Sequence, residues 1–302
     1  MPSFRAASGI EWYYEIKGEG EYLLFLHGWG VDGGIWRRQR EYFSLSFRVI
    51  CVDWPGHGQS SWRKVSLKQL ALDLKELLGH LQVNRLSVVA SSMGGLLALR
   101  LYQLIDSKIR RMIFVGSIPK FARSRDNPCG LDGERIAKLT SQLEGAYPAM
   151  VHIFFRSLFT RYERQSSYYH DLQKLRERDP LPRKQALVEY LDILAKEDLR
   201  KTLQGIKAPI FYMSGADDEI CTKEAVMSLQ KLLPRARFHF FKRCGHYPFV
   251  SEPNEFNKVL KKFLDADDAP RLGGAGINAN LKNKKIGTRI NTNKTNYTNK
   301  IF

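Results

Sequence analysis

Leu86-Ser87-Val88-Val89-Ala90-Ser91-Ser92-Met93-Gly94-Gly95-Leu96-Leu97 is an apolar run of strand length that breaks into small residues and resumes as a helix-like stretch reaching Tyr102. A serine at the point where a buried strand turns sharply into a helix has the layout of a nucleophile elbow. The turn leaves little room two residues before and two after the serine. Ala90 and Gly94 fill those positions, and Gly95 gives further space. The same turn also occurs as ordinary strand-to-helix architecture, so its meaning depends on a base, an acid and oxyanion donors falling where such a serine needs them.

Working outward, apolar runs recur at Tyr22 to Leu26, Val49 to Val52, Leu86 to Val89, Met112 to Val115, Pro209 to Met213 and Phe238 to Phe241. Their hydrophobicity is continuous rather than alternating, which marks strands covered on both faces. Helical patterns separate them, so the fold class expected is α/β, a mainly parallel sheet flanked by helices. Ile10 to Lys17 and the turn Gly18-Glu19-Gly20 read as an antiparallel hairpin leading into that sheet. Ser66-Leu67-Lys68-Gln69 has capping-box form, starting a helix to about Leu78 that Gly79 stops. Pro253 fits the first turn of a last helix ending near Leu264.

The rhythm breaks between Val115 and Pro209. A crossover between parallel strands needs only a dozen or so residues, yet here a long stretch shows helical periodicity without a strand. The expected organisation is a core of residues 1–118 and 199–268, an inserted helical cap at 119–198, and a disordered basic tail at 269–302. The tail has seven Lys and Arg residues from Arg271 onward, no acid and few large apolar groups. Such a segment buries too little surface to offset its ordering entropy. It accounts for seven of the 17 net positive charges, so a nucleic-acid partner is not the expectation.

The remaining composition is that of a globular chain, 43% hydrophobic and 26% charged. The start, Met1-Pro2-Ser3-Phe4-Arg5, has no secretory apolar region, and no stretch is long enough to span a bilayer. A cytoplasmic protein is expected, with no membrane association. Cys51, Cys129, Cys221 and Cys244 show neither disulfide-framework nor zinc-ligand spacing. No metal or cofactor is expected.

Three loops complete the constellation. His27-Gly28-Trp29-Gly30 follows the run Leu23 to Leu26, and the backbone N–H of Trp29 is placed to form an oxyanion hole with that of Met93. Gly215-Ala216-Asp217-Asp218-Glu219 follows the run ending at Met213; Asp218 is the acid of choice and Asp217 the alternative. Cys244-Gly245-His246-Tyr247-Pro248 follows the last run and offers His246 as base. His57, in Asp53-Trp54-Pro55-Gly56-His57-Gly58, is a weaker base candidate, because its loop has a structural reading as a fixed turn.

With these residues placed, the chain resembles the α/β-hydrolase superfamily over residues 10–265. Within it the chain is most like the pimeloyl-[acyl-carrier protein] methyl ester esterases of biotin synthesis, through Leu26-His27-Gly28-Trp29-Gly30, Tyr190-Leu191-Asp192-Ile193-Leu194 with Asp198-Leu199-Arg200, and Gly245-His246-Tyr247-Pro248-Phe249. The resemblance implies a Ser92, Asp218 and His246 triad, oxyanion donors at Trp29 and Met93, and a substrate channel lined by Trp29, Phe155 and Phe159. It implies a serine carboxylesterase acting on a small ester, presented on an acidic acyl carrier protein that docks on basic cap residues such as Arg156, Arg161, Arg164, Arg176 and Arg178. The same triad would also serve a general small-ester or lactone hydrolase, or a carbon–carbon bond hydrolase. A non-catalytic binding protein of the same fold is the alternative outside enzymes.

Overall fold

The computed structural model describes residues 2–177 and 180–266. Eight strands make one sheet: β1 (Ser3–Arg5), β2 (Glu11–Lys17), β3 (Tyr22–Leu26), β4 (Arg48–Val52), β5 (Leu86–Ser91), β6 (Ile109–Val115), β7 (Ile210–Gly215) and β8 (Arg237–Phe241). Their spatial order is β1-β2-β4-β3-β5-β6-β7-β8. β2 runs antiparallel to β1 and β4, and every other neighbouring pair is parallel. All six apolar runs of the sequence overlap β3 to β8. Every residue of β5 and β7 is buried, as strands sandwiched between helices require.

The helices that cover the core are α1 (Arg37–Phe43), α2 (Leu67–His80) and α3 (Gly94–Ile105). Helix α3 packs on β3, β5 and β6 and against α2, while α1 packs on β4. Between β6 and β7 lie α4 (Gly133–Ala146), α5 (Ala149–Ser157), α6 (Ser167–Arg176), α7 (Lys184–Lys196) and the short α8 (Arg200–Gln204). After β7 come α9 (Lys223–Ser228), α10 (Pro248–Ser251) and α11 (Pro253–Leu264), the last packed against α1. Residues up to Leu264 form one compact unit. The basic tail expected at 269–302 lies outside the described residues. No described helix is long and apolar enough to cross a membrane.

Two local expectations need correction. Residues 10–17 form no hairpin with β3; β2 pairs with β4, Tyr14 opposite Val52 and Lys17 opposite Val49, and its hairpin partner is β1. The cause lies in the turn. A Cβ on Gly18 (φ +85°) would come within 2.3 Å of the carbonyl oxygens of Ser44 and Phe47. The chain therefore crosses tightly over the segment entering β4 and delivers β3 to that strand's far side. Helix α2 begins as read, with the Ser66 hydroxyl accepting the Gln69 N–H at 3.1 Å. It does not stop at Gly79 but runs to His80, and the reversal is made at Gln82 (φ +54°), after which the Val83 N–H returns to the Leu78 carbonyl.

Parallel pairing sets up the site. Leu26 lies opposite Ala90, Ser91 opposite Val115, and Val115 opposite Met213. The carboxyl ends of β3, β5, β6 and β7 thus share one edge, where ligands of open α/β sheets bind.

Candidate active site

Ser92 leaves β5 with φ +52°, a left-handed conformation that a side chain adopts at a cost of about 1–2 kcal/mol. The surrounding packing holds it there. The Ser92 N–H donates to the Val115 carbonyl at 2.8 Å, and the Ser117 hydroxyl donates to the Ser92 carbonyl at 2.7 Å. A Cβ on Gly94 would lie 2.6 Å from the His27 carbonyl oxygen, so only glycine lets α3 start this close to β3.

The His246 ring is buried at the end of the loop after β8. Its Nδ1 lies 2.8 Å from Asp218 Oδ2, with Nδ1–H donating to the carboxylate. The other oxygen, Oδ1, accepts the N–H groups of Ile220 and Cys221 at 2.8 and 3.0 Å. Both oxygens of Asp218 are therefore engaged, one in holding its own loop and the other in holding the imidazole. Asp217 is exposed and points no bond at His246. Ser92 and His246 line one cavity together with Trp29 and Tyr247. Its remaining wall is apolar, from Leu131, Ile136, Leu139, Phe154, Leu191, Leu194 and Ile220, with Arg135 as the charged lining residue.

Met93 follows Ser92 in the chain, and Trp29 follows Gly28, where an added Cβ would lie 2.9 Å from the Ser92 Cβ. Among the described residues neither the Trp29 nor the Met93 N–H donates to a protein acceptor. The Trp29 indole is tied down: Nε1–H donates to the Leu187 carbonyl in α7 at 2.9 Å, and its ring meets Phe154 edge-on, centroids 4.6 Å apart. Trp29 thus lines the cavity. Phe155 and Phe159 do not. They are buried one layer behind, in an aromatic group with Tyr169 and Tyr247, and Arg176 covers the Phe155 ring at 4.0 Å. The phenylalanine on the cavity is Phe154, next to Phe155 in α5.

His27 and His57 have structural work. The His27 Nε2 accepts the Trp54 N–H at 2.8 Å, while Nδ1–H donates to the Gly28 carbonyl. Burial lowers its pKa to about 4, against the opposing pull of the Gly28 carbonyl. His57 Nε2 accepts the Gly30 N–H at 3.3 Å, and burial, then the neighbouring His27, push its pKa well below the usual histidine range. Both rings are neutral braces of the loops after β3 and β4. Asp53 completes that bracing, accepting from the Gly33 and Gln59 N–H groups.

Among the described residues one group of side chains has metal-ligand proximity: Asp218, Cys221 and His246, ligand atoms within 4.8 Å of one another. Asp218 and His246 already share their facing atoms, and burial, then the Asp218 charge, raises the Cys221 thiol well above its ordinary range. A metal ion held by the three would have to displace the Nδ1–H···Oδ2 bond between His246 and Asp218.

Gly116 was not singled out by its sequence. It follows β6 at φ +51°, and a Cβ there would lie 2.9 Å from the His246 carbonyl oxygen and 3.2 Å from both Asp218 Oδ2 and His246 Nδ1. The only local signal is a glycine directly after an apolar run. Of the basic residues expected to dock a carrier, Arg156 and Arg161 are exposed. Arg164 instead donates to the carbonyls of Arg156 and Phe159, and Arg176 to that of Gly30; Arg178 lies outside the described residues.

A sequence model of the alpha/beta hydrolase fold matches residues 21–253. A pimeloyl-[acyl-carrier protein] methyl ester esterase of Nitrosomonas europaea is 32% identical over 244 residues, covering 81% of this chain and 96% of the relative. The protein of the same description from Vibrio cholerae is 29% identical, covering 83% and 97%. Among solved structures, an esterase from Exiguobacterium antarcticum superposes with a TM-score of 0.79 at 23% identity, over 87% of this chain and 99% of that one.

Proposed function

This chain belongs to the alpha/beta hydrolase fold family and is a carboxylic ester hydrolase, and we propose that Ser92 is its nucleophile, His246 its general base and Asp218 the carboxylate that orients the base. The observation carrying this reading is the buried 2.8 Å Nδ1–H···Oδ2 bond between His246 and Asp218, with His246 and Ser92 on one cavity. That bond fixes the proton on Nδ1 and leaves Nε2 as the acceptor. Nε2 takes the Ser92 proton as Oγ attacks the ester carbonyl. The carbonyl oxygen becomes an anion and is met by the unengaged N–H groups of Trp29 and Met93, each such donor being worth about 2.7–4 kcal/mol in the transition state. The alcohol leaves with the proton from Nε2, forming the acyl-serine. Water then gives a proton to Nε2 and its oxygen to the acyl carbon, releasing the acid and restoring Ser92.

The substrate proposed is a methyl ester of a pimeloyl chain carried by an acyl carrier protein. The apolar wall from Leu131 to Leu194 suits a linear aliphatic chain, and the relatives named above are described by that activity. Exposed Arg156 and Arg161, on the proposed cap of residues 119–198, supply cationic charge for an acidic carrier. The deciding experiment presents pimeloyl-carrier methyl ester to the purified protein and follows methanol release. Cleavage that disappears in Ser92→Ala supports the reading. An intact carrier ester alongside rapid cleavage of simple p-nitrophenyl esters overturns the substrate while leaving the mechanism.

A further inference from the structure

We propose that Glu163 is a positioning residue that fixes the loop carrying His246, a role that rests on His246 being the base. Glu163 sits in the segment between α5 and α6, far from the sheet in sequence, and is only 2% exposed. A carboxylate is expensive to bury unless its oxygens are hydrogen-bonded. Here one oxygen, Oε2, accepts two backbone N–H groups, Thr160 at 2.6 Å and Gly245 at 2.9 Å. The other, Oε1, accepts the hydroxyl of Ser251 in α10. Glu163 therefore ties its own turn to both ends of the segment that contains the base.

The next amide completes the clamp. The His246 N–H donates to the Leu158 carbonyl at 2.8 Å, so two consecutive N–H groups of the base loop end on residues 158–163. Gly245 is shaped for this approach, since a Cβ there would lie 2.6 Å from the Leu158 oxygen and 3.1 Å from Glu163 Oε2. Preceding it, Arg243 holds φ +57°, and its carbonyl accepts the Thr160 hydroxyl at 3.4 Å. The loop after β8 thus takes several of its backbone partners from the segment between α5 and α6, while its Cys244 carbonyl accepts the Asp217 N–H at 3.0 Å. Asp218 sets the rotation of the imidazole, and Glu163 sets where its backbone stands.

Misplacing a catalytic group by about 1 Å can lower a rate of the order of a hundredfold. The test compares Glu163→Ala and Glu163→Gln with the unchanged protein, reading kcat and KM for p-nitrophenyl butyrate and the rate of labelling by a fluorophosphonate. Activity is normalised to the folded fraction from urea unfolding. Glutamine keeps a carbonyl oxygen for the two N–H groups and can donate to Ser251, so Glu163→Gln should stay within about threefold. Glu163→Ala should lose about tenfold or more in kcat and in labelling, with KM within about twofold. If the alanine variant does not fold, Glu163→Asp, whose reach is one methylene shorter, is read by the same criteria. A kcat within twofold of the unchanged protein, a loss confined to KM, or a glutamine variant as impaired as the alanine one overturns the proposal. Labelling that persists in Ser92→Ala would instead overturn the nucleophile assignment on which it rests.

Discussion

Gly116 and His246 are in contact through space that only hydrogen can occupy: a methyl group on Gly116 would press on the His246 carbonyl oxygen at 2.9 Å and on Nδ1 at 3.2 Å. Gly116→Ala adds that methyl at a backbone with φ +51°, where side chains are strained. Stability should fall by about 1–3 kcal/mol. Ester hydrolysis should fall by about a hundredfold, because the imidazole is displaced from Ser92. Urea unfolding and p-nitrophenyl ester kinetics on the same preparation check both.

The left-handed Ser92 makes stability and activity oppose each other. Ser92→Gly removes the side chain from a conformation glycine adopts freely, though the unfolded chain gains freedom as well. The net expectation is an inactive protein more stable by about 0.5–1 kcal/mol. Ser92→Ala keeps the strain and should be inactive without that gain. Paired urea titrations of the two variants separate these outcomes.

Asp218 and Asp217 are adjacent in sequence and unequal in place. Asn at 218 can still accept the Ile220 and Cys221 N–H groups but no longer stabilises a protonated His246, and kcat should fall of the order of 10⁴-fold. Asp217 is exposed, and Asp217→Asn should stay within about threefold. Comparable losses from both substitutions would remove Asp218 from its assigned role.

His27 predicts the acid limb of stability. Its folded-state pKa, about 4, lies below the usual value of 6.5, so between those pH values the unfolded chain binds a proton that the native one refuses. Stability is full above about pH 6.5 and declines as pH falls toward about 4, by up to about 3 kcal/mol from this ring. His57 adds to the same slope. Urea unfolding at intervals from pH 7 to pH 4 should show the decline, and His27→Asn should flatten it by about one proton's worth.

The proposed carrier docking on exposed Arg156 and Arg161 is a charge effect. Reversing both Arg156 and Arg161 to Glu should raise KM for a carrier-bound ester by about tenfold at low ionic strength, far more than for a free p-nitrophenyl ester. The difference should shrink toward physiological salt, where the screening length is about 8 Å. A KM insensitive to both substitutions would place the carrier elsewhere.

How much of this could be read in advance follows a physical pattern. The loops carrying Ser92, Asp218 and His246 each follow a continuous apolar run, so strand ends and small-residue turns single out these three as candidates without tertiary information. Partner choice was less legible. Gly18 and Gly20 announced a turn, but nothing local said that the turn would cross the approach to β4 and put that strand between β2 and β3. In α5 the cavity-facing residue is Phe154 rather than Phe155, because the orientation of the helix is set by its neighbours, here Trp29 on one side and Tyr169 on the other. Arg164 and Arg176 looked like surface charge, yet both are turned inward onto backbone carbonyls. Glu163, an acid in a basic stretch, gave no local sign of burial.

The cavity has two kinds of wall. The end proposed to react is made by loops at the edge of the sheet, from Trp29, Ser92 and His246, whereas the apolar side is drawn mostly from residues 131–194, between β6 and β7. Substitutions along that side can remodel which acyl group fits while the bond-breaking atoms keep their places. Selectivity and reactivity can therefore drift at different rates, so relatives that share this elbow can part company over substrate without parting over chemistry.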